Sequence, residues 1–414
     1  MFVPKSIVCL RDYSWKQFQA DAGAGFVVGL VAIPLAMAFS IACGLPPQRG
    51  LYTAVVAGFL LSALSGSRVT IGGPTGAFIV IVAGVVSRYG YEGLALATAM
   101  AGIILIILGL SRLGGFVKFI PPAVVTGFTA GIAAVIFSTQ IKDWLGLSIA
   151  VLPADFISKW GAYAKALPNL NPYALGIGLF TSVCLLIWPQ GWKVPGALMA
   201  LVAASFVVSA GHFPVETIGS RFGGISGGLP PFHWLAPTGA QALELLPSAF
   251  LIAALGAIES LLCAVVADRL IDGHHKSNLE LVAQGISNTA SALFGGIPST
   301  GAIARTATNV RNGGRTPVAG MIHALVVLLV LLVAGPLAAH VPLATLAGIL
   351  VVVCIHMFEW ETVRAALKST RANALVLLAT FLLTLFVNLT VAVAAGCVLA
   401  ALIAWAKKLH PTDS

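Results

Sequence analysis

The sequence predicts an all-α, polytopic membrane protein built from two similar halves. Of its 414 residues, 58% are hydrophobic and 9% are charged, whereas soluble domains carry roughly 25% charged residues. Fourteen apolar stretches follow one another, and segments broken by Gly and Pro occur at residues 72–77 and 295–302. We therefore predict 14 transmembrane segments in a 7+7 inverted repeat, in which short strands precede two half-helices.

The predicted segments are the apolar stretches that lie between Gly, Pro and charged residues. A helix needs roughly 20 apolar residues to span a bilayer, so the short third and tenth stretches are the predicted half-helices. The segments are residues 22–42, 50–66, 74–88, 92–111, 120–141, 173–188, 194–210, 244–267, 277–294, 300–310, 317–335, 342–357, 373–387 and 389–406.

A second internal similarity supports the two halves. Residues 119–127 (FIPPAVVTG) open the fifth predicted segment, and residues 340–348 (HVPLATLAG) open the twelfth. In both halves this motif follows the broken segment at a similar distance. Because seven segments per half is an odd number, the two halves are predicted to have opposite orientations.

The basic residues set the predicted orientation. If the N-terminus is cytoplasmic, most of the 23 Lys and Arg residues fall in cytoplasmic loops and tails, as the positive-inside rule requires. An even number of segments returns the C-terminus to the cytoplasm, and we expect a bacterial inner-membrane location. The same bias explains the net charge of +9 without a nucleic-acid partner.

The two broken segments predict an anion-binding site. A broken helix exposes the N–H groups of its first turn, and its dipole makes that end partly positive. Two such ends that face each other near the bilayer midplane attract an anion. The predicted substrate-binding residues are Thr75, Gly76, Ala77, Ser299, Thr300, Gly301, Ala302, Arg305 and Phe39.

Several of these polar and aromatic residues have a structural interpretation as well. The hydroxyls of Thr75, Ser299 and Thr300 either line the site or cap helix N-termini. Phe39 is more typical of core packing. Amide side chains within the predicted segments are expected to hold helix–helix contacts; they include Gln284, Asn288 and Asn309.

Two charged residues remain deep within predicted segments. Glu259 is the acid in the eighth segment and Arg305 is the base in the tenth, whereas the other acids fall at segment ends, loops or tails. An intramembrane charge costs several kcal/mol, and it marks a functional site by default. We expect Arg305 to add positive potential at the anion site and Glu259 to carry a coupling proton. The alternative is that the two side chains simply pair with each other.

No motif for a metal, a cofactor or catalysis is present. The six cysteines are scattered, mostly in apolar stretches, and their spacing fits neither a metal site nor a disulfide framework. The His274-His275 pair lies in a predicted cytoplasmic loop and is not expected to bind metal. One acid and one arginine do not form a catalytic constellation, so we do not expect an enzyme.

Six motifs together match one family of transporters. They are residues 32–38 (AIPLAMA), 44–52 (GLPPQRGLY), 73–75 (GPT), 256–260 (GAIES), 278–285 (NLELVAQG) and 303–311 (IARTATNVR). On these motifs the chain resembles the sulfate permease (SulP) family over essentially its whole length, and within it most closely the bacterial C4-dicarboxylate transporter branch. Arg49 departs from the aromatic residue that often precedes Gly-Leu-Tyr in this family.

The resemblance implies an anion held between half-helices 3 and 10, and a core domain that moves against a gate domain. It matches Arg305 to the tenth-span arginine of animal members and Glu259 to the eighth-span acid implicated in cation coupling in bacterial members. The implied division is 1–21 cytoplasmic lead-in, 22–118 core (spans 1–4), 119–212 gate (spans 5–7), 213–243 external loop, 244–335 core (spans 8–11), 336–408 gate (spans 12–14) and 409–414 cytoplasmic tail.

Most family members carry a soluble cytoplasmic STAS domain after the last span. This sequence ends at Ser414, soon after the last predicted segment. We therefore expect no STAS domain here, either because the chain is shortened or because the protein lacks one naturally.

The expected function is secondary active transport of an anion across the inner membrane. Proton-coupled C4-dicarboxylate uptake by alternating access is the favoured form. Sulfate or bicarbonate transport, coupled to protons or sodium, and anion exchange are the alternatives, and an anion channel is less favoured. The expected partners are the small anion, a coupling cation and the lipid bilayer, and a homodimer is left open.

Overall fold

The computed structural model is a bundle of mostly apolar helices. It describes residues 3–115, 121–149, 152–153, 156–189, 192, 194–225, 227–236, 238–387 and 389–409. Within these ranges six helices are long and apolar enough to cross a membrane, and a bent helix pair supplies a seventh span if it counts as one. The helical, membrane-spanning part of the prediction is confirmed, while the full 7+7 layout stays a prediction.

Seventeen α-helices and two short strands follow one another along the described chain. They are α1 (Lys5–Cys9), α2 (Trp15–Ala42), α3 (Pro47–Leu64), β1 (Gly72–Gly73), α4 (Ile79–Leu110), α5 (Pro122–Trp144), α6 (Phe156–Ala166), α7 (Pro172–Ile187), α8 (Gly196–Gly211), α9 (Ile218–Phe222), α10 (Gly239–Ile271), α11 (Ser277–Leu293), β2 (Thr300–Gly301), α12 (Ile303–Arg311), α13 (Pro317–Ala334), α14 (Leu343–Met357), α15 (Trp360–Ser369), α16 (Arg371–Phe386) and α17 (Leu389–Leu409). Short 3₁₀ turns precede α4, follow α6 and follow α13.

Helix starts follow capping and proline signals in the sequence. The side chains of Ser14, Asn171, Thr316 and Thr370 accept hydrogen bonds from first-turn N–H groups of α2, α7, α13 and α16. These caps satisfy donors that every helix start leaves free. Pro occupies the first turn of α3, α5, α7 and α13, where its missing N–H would have had no helical partner.

A glycine separates the third predicted segment from the fourth. α4 is continuous, but Gly90 inside it has φ 66° and ψ −170°, a conformation that glycine adopts without the penalty of a Cβ atom. The break falls between the predicted segments at residues 74–88 and 92–111. The predicted boundary at 118/119, the start of the fifth segment at residue 120, and residues 410–414 of the tail lie outside the described residues.

The helices form two groups by their packing. In the first group, α4 packs on α10 and α11, α13 packs on α2 and α3, and α12 packs on α10 and α2. In the second group, α5 packs on α14 and α16, α7 packs on α14 and α8, and α17 packs on α16. The groups meet where α14 packs on α2 and where α5 packs on α4. We refer to them below as the first and second helix groups.

The two strands pair with each other although their first members, Gly72 and Thr300, are 228 positions apart in the sequence. β1 and β2 are antiparallel, with Gly72 opposite Gly301 and Gly73 opposite Thr300. Short strands were predicted before both half-helices, and the structure has them there. The pairing satisfies backbone groups that a bilayer would otherwise leave without hydrogen bonds, and it fixes the two chain breaks beside each other.

Candidate anion-binding site

The paired strands bring two helix starts together. A 3₁₀ turn at Gly76–Phe78 and then α4 follow β1, and α12 follows β2. No side chain caps either the turn or α12. The N–H of Ala302, just before α12, donates to the carbonyl oxygen of Ile71, just before β1, at 2.8 Å. Two uncapped starts with partly positive ends therefore lie next to each other.

Arg305 joins the two broken segments. Its side chain is 2% exposed, and Nη2 donates to the carbonyl oxygen of Pro74 at 3.0 Å. Nη1 is buried and has no hydrogen-bond partner among the described residues. The guanidinium has five N–H donors and no acceptor, so an acceptor from a bound anion would complete its hydrogen bonds.

Gly73 makes room for this arginine. A Cβ atom at Gly73 would lie 2.4 Å from Arg305 Nη1, and Gly73 has φ +152°. The close approach and the backbone conformation both make any residue with a Cβ atom costly at this position. The Gly-Pro-Thr motif at residues 73–75 thus has a physical explanation that its sequence alone did not give.

The polar groups of the second broken segment are directed into the protein. Ser299 and Thr300 are fully buried. Asn288 Oδ1 accepts hydrogen bonds from the N–H and the hydroxyl of Ser299 at 2.8 and 3.1 Å. Ser260 Oγ accepts from the N–H of Gly301 at 3.1 Å. These hydroxyls neither line an open site nor cap α12 in this structure, and their role in binding stays a prediction.

Neighbouring positions of the two broken segments are less buried than Ser299 and Thr300. Thr75 is half-buried, and its Oγ1 has no hydrogen-bond partner among the described residues. Ile303 and Ala304, the first residues of α12, are exposed. The first-turn N–H groups of α12 are therefore the donors available from this segment, whereas the N–H groups of Gly301 and Ala302 already have partners.

Phe39 is buried and lies next to the 3₁₀ turn. A Cβ atom at Gly76 would lie 3.5 Å from Phe39 Cε1, 3.1 Å from Met357 Sδ and 3.4 Å from Ile136 Cδ1. Ala77 is buried beside it. Phe39 belongs to α2, whereas Ile136 and Met357 belong to α5 and α14. The turn therefore lies where the first and second helix groups meet.

Glu259 does not pair with Arg305. It lies in α10 beside Ser260 and is half-buried, and no ion pair joins it to Arg305 within the described ranges. The charged group that acts on it is Glu359, a second carboxylate. Glu359 lies between α14 and α15, in the second helix group, so the carboxylate that repels Glu259 comes from the group to which Glu259 does not belong.

Arg49 holds the first residue of the second broken segment. Its Nη1 donates to the carbonyl oxygen of Gly295 at 3.1 Å, and its guanidinium carbon lies 3.2 Å from the centre of the Tyr91 ring. The Tyr91 hydroxyl donates to the carbonyl oxygen of Gly296 at 2.9 Å. The unusual arginine at this position thus has a structural role through a cation–π contact and a hydrogen bond.

Comparison with known proteins decides the family. The model of the sulfate permease family matches residues 18–380. The chain belongs to the sulfate permease family. YvdB, a sulfate transporter candidate of Bacillus subtilis, is 47% identical over 393 residues, which cover 94% of this chain and 74% of that protein. The bicarbonate transporter BicA of Picosynechococcus sp. is 33% identical over 394 residues, covering 92% and 69%.

Solved structures agree with the assignment of this chain to the sulfate permease family. The transmembrane domain of a cyanobacterial bicarbonate transporter BicA has a TM-score of 0.82 at 32% identity, covering 94% of this chain and 98% of that chain. The inward-facing murine anion transporter Slc26a9 has a TM-score of 0.89 at 20% identity, covering 98% and 71%; at that identity it supports the fold alone. The protein is an anion transporter of this family and not an enzyme.

Proposed function

We propose that this protein is a secondary active transporter that moves sulfate or bicarbonate across a bacterial inner membrane by alternating access. Its relatives include a sulfate transporter candidate and bicarbonate transporters. These relatives are named as sulfate or bicarbonate transporters, so the alternative of a small inorganic oxyanion takes the place of the C4-dicarboxylate that the motifs favoured.

The observation that carries this proposal is the free Nη1 of Arg305 beside two uncapped helix starts. Among the described residues, Arg305 is the buried arginine, and one guanidinium arm together with first-turn N–H groups suits one compact oxyanion. The binding site in this proposal comprises Thr75, Gly76, Ala77, Arg305, Phe39 and the start of α12, with Ser299 to Ala302 as its support.

Transport in this proposal occurs by movement of one helix group against the other. The first helix group contains α2 to α4 and α10 to α13, and the second contains α5, α7, α8, α14, α16 and α17. The anion stays with the first group because both broken segments and Arg305 belong to it. Gly76 lies close to Ile136 and Met357 of the second helix group. This closeness supports an interface between the two groups that opens and closes beside the site.

Glu259 is the proposed coupling residue, with a proton favoured over sodium. A half-buried intramembrane carboxylate without an ionic partner is costly, so gain of a cation would stabilise it. Glu359 of the second helix group adds a repulsive charge, which a bound cation would relieve. Cation binding at Glu259 would then depend on the relative position of the two helix groups, which couples the cation to transport.

Uptake into liposomes by the purified protein tests the proposal. Labelled sulfate, bicarbonate and succinate are compared under imposed proton and sodium gradients. We expect uptake of sulfate or bicarbonate, little uptake of succinate, and loss of uptake in Arg305→Ala. Arg88→Ala removes an exposed arginine of the same chain and is the matched control. Succinate as the preferred substrate, or full activity of Arg305→Ala, would overturn the proposal.

A further inference from the structure

Gln284 connects the two helices that support the start of α12. It lies in α11 and is fully buried. Its Oε1 accepts a hydrogen bond from Ser260 Oγ of α10 at 2.6 Å. Its Nε2 donates to the backbone carbonyl oxygen of Ser299 at 2.6 Å. Both ends of one amide are thus used inside the protein.

Only one orientation of this amide satisfies its neighbours. The carbonyl oxygen of Ser299 can only accept, so the nitrogen of Gln284 must face it. The oxygen of Gln284 then receives the proton of the Ser260 hydroxyl. Ser260 Oγ in turn accepts from the N–H of Gly301, at 3.1 Å, and from the hydroxyl of Thr300, at 2.9 Å. Directed hydrogen bonds therefore run from β2 through α10 to α11 and back to Ser299, the residue before β2.

We infer that Gln284 is a positioning residue for the anion site, an inference that rests on the proposed binding of the anion at α12. Gln284 holds Ser299 directly, and through Ser260 it holds Thr300 and Gly301. α12 begins two residues after this strand, and Arg305 lies in its first turn. The donor of Gln284 therefore fixes where the free N–H groups and the guanidinium of Arg305 stand relative to β1.

The variant Gln284→Glu distinguishes a positioning role from a packing role. The glutamate side chain keeps the shape of glutamine, but it can donate a hydrogen bond only while it is protonated. A protonated glutamate can still donate to the Ser299 carbonyl, whereas a carboxylate would place an acceptor against an acceptor. We expect the affinity for sulfate to match that of the wild type at acidic pH. As the pH rises, affinity should fall on the order of tenfold, the loss expected for one buried hydrogen bond. Gln284→Leu should lose affinity at every pH.

Asn288→Asp is the matched control for the added negative charge. Asn288 lies one helical turn after Gln284 and also binds Ser299, but it does so only as an acceptor through Oδ1. Its Nδ2 has no hydrogen-bond partner among the described residues, so the change to Asp removes no hydrogen bond. Its affinity should therefore depend on pH much less than that of Gln284→Glu.

The readout is sulfate binding by the purified full chain in detergent, measured by calorimetry from acidic to alkaline pH and divided by the wild-type value at each pH. Equal pH profiles for Gln284→Glu and Asn288→Asp would show that charge alone acts, and would overturn the inference. Wild-type affinity of Gln284→Leu would overturn it as well. If Arg305→Ala also binds like the wild type, the proposed site itself is wrong, which distinguishes the two failures.

Discussion

The guanidinium of Arg305 occupies the space that a side chain at Gly73 would need. A Cβ atom there would approach Nη1 to 2.4 Å, closer than two such atoms can lie without displacement. Because Nη2 is held by the carbonyl of Pro74 at 3.0 Å, the guanidinium cannot retreat without losing that bond. The strand β1 and the arginine of α12 therefore constrain each other.

Gly73→Ala is predicted to weaken anion binding while the protein still folds. The methyl group displaces Nη1, and the backbone conformation at this position is costly for any residue other than glycine. We expect a loss of at least roughly tenfold in affinity, comparable to one strong charge-assisted hydrogen bond. Gly84→Ala in α4 is the control, because a Cβ atom there meets no atom within 4 Å. Equal affinities of the two variants, measured by calorimetry, would argue against the constraint.

Glu259→Gln is predicted to separate transport from its driving gradient. The amide keeps the shape of the side chain but can neither gain nor lose a proton, so uptake driven by a pH gradient should stop. Exchange of labelled for unlabelled anion at equal pH should continue, because the anion site remains. The check is paired uptake and exchange assays in the same liposomes. A full response of Glu259→Gln to the pH gradient would assign coupling to another group.

Asp21 is predicted to be a major determinant of stability. This buried carboxylate accepts hydrogen bonds from the N–H of Arg315 at 2.8 Å, the hydroxyl of Thr316 at 2.6 Å and the hydroxyl of Tyr13 at 2.9 Å. Burial and then the hydrogen bond to Asp21 raise the pKa of Tyr13, so its hydroxyl remains a donor at neutral pH. Asp21→Ala leaves these donors unpaired and should cost about 3 kcal/mol.

The control for Asp21→Ala is Tyr13→Phe, which removes one donor and leaves the others paired. It should cost about 1 kcal/mol. Thermal melting of the detergent-solubilised protein should therefore rank wild type, Tyr13→Phe and Asp21→Ala in order of decreasing Tm. A reversed order for the two variants would mean that the hydrogen bonds to Asp21 contribute little to the stability of the protein.

Cysteine labelling is predicted to distinguish positions beside Arg305 from the buried positions just before α12. Cysteines at Thr75 and Ala304 should react with a soluble thiol reagent, and the substrate anion should protect both, because both flank Arg305. Cysteines at Ser299 and Thr300 should react slowly with or without anion, because these positions are fully buried. Protection at only one of Thr75 and Ala304 would mean that the paired helix starts do not form one site.

The sequence predicts the helices well where glycine, proline and hydropathy agree. The stretch 342–357 became α14 (Leu343–Met357), and 317–335 became α13 (Pro317–Ala334). Prediction fails where a helix is short and half polar. α6 and α15 lie in connections and were missed, because their apolar residues are too few to form a hydrophobic stretch.

The two chain breaks were predictable from the sequence, but their contacts were not. Gly and Pro breaks mark Thr75 and the start of α12, and a lone charge marks Arg305. Which polar groups pair is decided by packing between distant segments, so the sequence did not reveal that Ser299 and Thr300 face inwards. Gln284 and Asn288 were expected to hold helix contacts; their contacts with Ser299 show that they also hold β2. Their spacing of four residues, which places both on one face of a helix, was the available signal.

The most direct test of the account is a structure of the protein with a bound heavy analogue of its anion, such as selenate in place of sulfate. We predict its density within hydrogen-bond distance of Arg305 Nη1, between the 3₁₀ turn at Gly76–Phe78 and the first turn of α12. Density in the 213–243 loop or beside the His274-His275 pair, with none at Arg305, would contradict the account.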